Sequence, residues 1–96
     1  MKYINMSELE GKLGEVELID IRESYEYQAG YIPTAKNIPM NELIHNPSNY
    51  LNLNQEYYVV CQSGGRSEMA CLVLEAQGFK VNNVAGGTSA YNGKLD

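Results

Sequence analysis

An α/β sandwich on a mainly parallel sheet is the fold class this sequence predicts, and three observations lead to it. Short aromatic and β-branched runs alternate with segments of helical apolar spacing along the chain. Glycines that can end or turn an element (Gly14, Gly30, Gly64-Gly65, Gly78, Gly86-Gly87) fall between these runs. The stretch Tyr57 to Gly78 reads as strand, tight loop and helix, the unit from which crossover-connected sheets are made.

The elements follow in order. Tyr3-Ile4 predicts a short edge strand, and Ser7 is placed to cap a helix over Glu8 to Lys12 that Gly14 breaks. Val16 to Asp20 is largely apolar and predicts an interior strand. Asp20 and Arg22 fall at its C-terminal end, the edge where open parallel sheets bind ligands. Ser24 to Ala29 predicts a helix ended by Gly30. Ile32-Pro33 imposes an extended turn, and Lys36 to Ile38 forms a brief strand closed by Pro39. Met40 to His45 predicts a helix with Leu43 and Ile44 inward, followed by a polar connection over Asn46 to Asn54. Tyr57 to Val60 has no polar break, as a buried strand should be. From Arg66, the spacing of Met69, Leu72, Val73 and Ala76 predicts a helix that Gly78 ends. Lys80 to Val84 is the last strand, and Gly86-Gly87 turns into a short helix around Ala90-Tyr91.

Length and charge narrow the function classes. Ninety-six residues predict a single domain, 1–96, whose one core buries roughly two-thirds of the extended chain's surface. A net charge of −5 argues against a nucleic-acid partner, which would call for a basic stripe. No apolar run approaches the length of a membrane span, and Met1 to Gly14 lacks a signal-peptide core. With two cysteines and no export signal, a reducing cytoplasm is the expected setting.

Chemistry is expected at Cys61. It stands where strand becomes loop, beside a Gly-rich turn and a helix start. A thiolate is the nucleophilic form, and successive loop amides together with a helix N-terminus favour it. Gln62, Ser63, Gly64, Gly65, Arg66 and Ser67 are therefore the candidate substrate-binding residues, and a loop that curls back brings the Arg66 guanidinium over the same anion. Asp20 and Arg22 read equally as a local ion pair that fixes the neighbouring loop. His45, the only histidine, lies in a polar stretch without Cys or carboxylate at metal-ligand spacing and is read as a solvated surface residue, so no metal site is expected. Cys71 lies beside the polar strip of Glu68 and Glu75, with packing favoured over a resolving role. Met69 and Leu72 are expected in the core, a partner surface being the alternative.

These residues resemble the rhodanese-like family of single-domain sulfurtransferases. Cys61 to Arg66 matches the family's six-residue active-site loop. Asp20-Ile21-Arg22 with Glu26 matches its Asp-x-Arg-x-x-x-Glu pattern. Gly30-Tyr31-Ile32-Pro33-Thr34-Ala35-Lys36-Asn37-Ile38-Pro39 matches Gly-His-Ile-Pro-Gly-Ala-x-Asn-Ile-Pro, with Tyr31 in place of His and Thr34 in place of Gly. Gly78-Phe79 and Gly86-Gly87 with Tyr91 match the terminal pattern. The resemblance implies a three-layer sandwich around five strands, the active-site strand in the middle. It implies supporting roles for Asp20 and Arg22, and transfer of sulfane sulfur through a Cys61 persulfide without cofactor. The donor would be small and anionic, such as thiosulfate, or a persulfide. The acceptor would be a thiol, which can belong to a protein, or another nucleophile such as cyanide. Gln62 stands where many active members carry a second Arg, so low-charge persulfide donors are expected to outperform thiosulfate. A non-turnover persulfide carrier or an interaction module is the alternative. A cysteine phosphatase loop needs one more residue between Cys and Arg, and a thiol oxidoreductase would carry Cys-x-x-Cys.

Overall fold

The computed structural model describes all 96 residues. Strands β1 (Lys2–Ile4), β2 (Glu17–Asp20), β3 (Lys36–Asn37), β4 (Glu56–Val60) and β5 (Lys80–Val84) alternate with helices α1 (Met6–Glu10), α2 (Ser24–Ala29), α3 (Met40–His45) and α4 (Gly65–Ala76). The sheet order is β1-β5-β4-β2-β3, and every pair is parallel. The sheet is thus parallel throughout, and β4 lies at its centre.

Two apolar cores sandwich the sheet. On one face α3 and α4 pack Leu43, Ala70, Cys71 and Leu74 against Ile19, Tyr57, Val59 and Val81. On the other, Leu9 of α1, Ile32 and Ala35 cover Leu18, Val60 and Val84. The interior strands β2, β4 and β5 therefore contribute side chains to both cores, as a sheet covered on both faces requires.

Local chemistry sets the element ends. Asn5, not Ser7, caps α1: its side-chain oxygen accepts from the Glu8 amide at 2.8 Å, and the helix starts earlier than the sequence suggests. At the end of α4, the Gly78 amide donates to Glu75 O at 3.0 Å and the Phe79 amide to Leu74 O at 3.1 Å. Gly78 itself has φ +93°, so this is a Schellman stop. Phe79 and Leu74 share the core beneath it. The expected C-terminal helix is a single 3-10 turn, Thr88–Ala90.

The apolar reading of α4 needs a correction. Met69 and Leu72 are exposed, and the buried face is Ser67, Ala70, Cys71 and Leu74. The buried residues recur at i, i+3, i+4 and i+7 from Ser67, a single helical stripe that leaves Met69 and Leu72 on the outer side. Thr34 is the only non-glycine residue with positive φ, at 78°. The left-handed turn after Ile32-Pro33 is kept although a β-branched residue is disfavoured there.

Candidate active site

Register brings the site together. Asp20 of β2 lies opposite Val60 of β4, and the Ile21 amide donates to Val60 O at 3.0 Å. Asp20, Arg22 and Cys61 consequently share the C-terminal edge of the sheet. Beyond Cys61 the chain turns at Gly64, whose φ of +109° a residue with a β-carbon rarely adopts, and enters α4.

That turn converges amides on the sulfur. The Gly64 N–H lies 3.1 Å from Cys61 Sγ and the Ser67 N–H 3.3 Å. Ser67 Oγ is also 3.3 Å away. It contacts Gly64 O at 3.1 Å and makes a short bond to Asn83 Oδ1. Burial pushes the Cys61 thiol up, but hydrogen bonds from the Ser67 side chain and from the Ser67, Gly64 and Ser63 amides outweigh it, and the thiol lies below its ordinary value. Cys71, a turn and more into α4, has no such donors. Burial, with Glu75 and Cys61 nearby, pushes its thiol up to about 12. The two cysteines are therefore chemically unlike: one is held ready to ionise, the other is core.

Both arginines beside the loop are matched by carboxylates. Arg22, 4% exposed, lies on Asp20 with Nε 3.0 and 3.1 Å from its two oxygens and Nη2 2.8 Å from Oδ2. Its remaining donors reach Gly30 O at 2.8 Å and Gln62 Oε1 at 3.2 Å. The Gln62 side chain is thereby tied to the β2 edge. Arg66 forks onto Glu26 of α2, with Nη1–Oε1 2.7 Å and Nη2–Oε2 2.9 Å. The Arg66 fork, with a backbone bond and neighbouring Arg22, holds the Glu26 carboxyl down at about 2. The groups that hydrogen-bond the sulfur are thus the Ser67 hydroxyl and main-chain amides at the start of α4, not a guanidinium.

Several residues that sequence reasoning passed over complete the arrangement. The Thr88 amide and Oγ1 donate to Cys61 O at 2.8 and 3.1 Å, and the Ser89 amide donates to Gln62 O at 3.0 Å. Gly87, at φ +63° and ψ −162°, passes so close that a β-carbon would meet Cys61 O and Gln62 at 2.6 Å. The glycine pair was visible as a turn, but only the fold shows that it faces the loop. Asn83 carries no sequence signal, because an Asn inside a strand reads as an edge position. Ser63 and Gly65 form the exposed crest of the loop, and a β-carbon on Gly65 would touch nothing. Cys61 itself is 1% exposed. A cavity lined by Glu17, Ile19, Lys36, Ile38, Tyr50, Gln55 and Tyr57 shares no residue with the loop. His45 is exposed on α3, with Nδ1 2.7 Å from Asn41 O.

Known proteins with this pattern agree on its lineage. The model of the Rhodanese-like domain matches residues 5–94. YrkF of Bacillus subtilis (strain 168), which bears the provisional name of a sulfur carrier protein, is 42% identical over 82 residues. That match takes in 84% of this chain but 44% of YrkF, so the chain spans less than half the length of that relative. YtwF of the same organism, provisionally named a sulfurtransferase, is 39% identical over 97 residues, covering 98% of this chain and 93% of YtwF. The crystal structure of a rhodanese-like domain protein from Staphylococcus aureus superposes with a TM-score of 0.88 at 42% identity, covering 100% of this chain and 97% of that one. The chain belongs to the rhodanese-like domain family.

Proposed function

We propose that this chain, acting as one domain over residues 1–96, moves sulfane sulfur through a persulfide on Cys61. The observation that carries the reading is the convergence of the Gly64 and Ser67 amides on Cys61 Sγ at 3.1 and 3.3 Å. An ionised sulfur there attacks the outer sulfur of a donor. With thiosulfate, the new S–S bond forms as the donor's S–S bond breaks, and sulfite leaves with the bonding pair. With a persulfide, a thiolate leaves instead. An acceptor thiolate or cyanide then takes the outer sulfur and returns Cys61 to the thiolate. The amides of the loop stabilise both anionic forms. No base, metal or cofactor is needed for these steps.

The roles follow from position. Cys61 is the nucleophile, Gln62 to Ser67 bind the donor, and Asp20 with Arg22 supports the loop through Gln62. Because Cys61 is 1% exposed, a donor reaches the sulfur when the Ser63–Gly65 crest swings outward. That same burial favours, as a second reading, a carrier loaded by a protein partner that opens the crest. A reducing, cytoplasmic setting suits a thiolate of this kind.

Intact mass spectrometry after incubation with thiosulfate or cysteine persulfide tests the reading. One added sulfur atom, removed by cyanide and absent from Cys61→Ser, is the expected result. A protein that loads but turns over poorly with small acceptors is a carrier. A protein that never loads is neither.

A further inference from the structure

Resting on the sulfur-transfer reading, we propose that Glu26 is a specificity-determining residue. By occupying both terminal nitrogens of Arg66, it withholds the loop's only cation from doubly charged donors and leaves the site to persulfides of low charge.

Three observations carry this. First, the fork is pre-organised. Glu26 Oε1 accepts from the Glu23 amide at 3.0 Å as well as from Arg66 at 2.7 Å, and Oε2 accepts from Arg66 at 2.9 Å. That amide bond belongs to a reciprocal capping box at the start of α2, so the carboxylate is set by its own helix before Arg66 meets it. Second, the neighbouring arginine is not free to take the place of Arg66. Arg22 spends its donors on Asp20, Gly30 O and Gln62. Gln62 and Ser63, the two side chains between Cys61 and the glycines, are neutral. Third, the charges cancel in pairs: Asp20 against Arg22, Glu26 against Arg66. Ionised Cys61 then leaves the neighbourhood negative before any donor arrives.

A dianion such as thiosulfate must therefore draw Arg66 off Glu26 and lie beside the carboxylate it displaces, which is a like-charge contact. A persulfide donor of low charge requires neither, since the amides suffice. Glu26 acts through Arg66 and is a positioning residue. Its effect is expected in donor binding rather than in the displacement step itself.

The test compares wild type with Glu26→Gln, which keeps the length and can still cap α2, and with the double variant Glu26→Gln/Arg66→Ala. Steady-state rates are measured with thiosulfate and with cysteine persulfide, cyanide being the acceptor. In Glu26→Gln, kcat/KM for thiosulfate should rise about tenfold, mainly through KM, while the persulfide value stays within about twofold. The gain should vanish in the double variant. Equal changes for both donors, or a fall with thiosulfate, overturn the role of Glu26. A wild-type protein that neither donor loads, as judged by mass, overturns the sulfur-transfer reading itself, so the two failures are distinguishable.

Discussion

Ser67 meets the Cys61 sulfur twice, through its amide at 3.3 Å and its hydroxyl at the same distance. One residue in the first turn of α4 thus makes both a main-chain and a side-chain bond to this sulfur. Its hydroxyl hydrogen has further acceptors in Gly64 O and Asn83 Oδ1. The side chain is wholly buried.

Removing that hydroxyl should raise the thiol. In Ser67→Ala the amide bonds remain, but the largest stabilising contribution is lost while burial still opposes ionisation. The rate of iodoacetamide alkylation at Cys61, followed against pH, should therefore move its midpoint to higher pH. Loss of a partner for buried Asn83 should also cost about 1–3 kcal/mol in urea unfolding. An unmoved midpoint counts against the hydroxyl. Cys71, pushed up to about 12, should stay unlabelled in the native protein.

Gly87→Ala should damage both stability and the loop. The backbone conformation there, φ +63° and ψ −162°, is close to glycine-only, and the new β-carbon would strike Cys61 O and Gln62 at 2.6 Å. A loss of about 2–3 kcal/mol is expected, with lower sulfur loading of the folded fraction. Chemical denaturation and intact mass on the same sample check the two effects together.

Thr34→Gly should stabilise. Thr34 holds φ +78°, which costs a β-branched residue about 1–2 kcal/mol, whereas glycine gives back about 0.4–1 kcal/mol through its freer unfolded chain. The net gain is about 0.5 kcal/mol or somewhat more, a rise in melting temperature of a few degrees. Calorimetry should find it without any change in activity, since the residue is exposed and bonds to no part of the site.

Acid should weaken the Glu26–Arg66 fork. The folded Glu26 carboxyl sits at about 2, below the ordinary 4.5, so its contribution is fully present above 4.5 and disappears as pH falls toward 2. Arg66 is 41% exposed, and solvent screening limits the contribution to about 1 kcal/mol or less. Wild-type stability should thus fall more steeply than that of Glu26→Gln between pH 4.5 and 2, measured by denaturant titration. Parallel curves refute the assignment.

Most of the architecture was legible because it depends on short-range signals. The apolar runs, the glycines and Pro39 fix where elements begin and end, and α2, α3 and β5 fall where the residues predict them. Cys61 could be singled out because a strand end, a double glycine and a helix start are neighbours in the chain. What could not be read depends on contacts between distant segments. Arg66 was expected over the sulfur, yet Glu26 reaches it from α2, 40 residues away in sequence. Met69 and Leu72 looked like core because they are apolar, but the fold turns the stripe of Ser67, Ala70, Cys71 and Leu74 to the sheet instead. Asn5 and Ser7 are both capable caps, and in the structure Asn5 takes the position, its side chain accepting from the Glu8 amide.

Thr88 clamps the carbonyl of Cys61 from 27 residues further along the chain. During synthesis the cysteine must therefore emerge before the segment that braces it. Until β5 docks and brings that segment home, the Cys61 carbonyl has no brace, although the amides of Gly64 and Ser67 are already close by in the chain. The loop around Cys61 is consequently completed late, as a property of the finished fold, and an incomplete polypeptide lacks the clamp that holds its main chain.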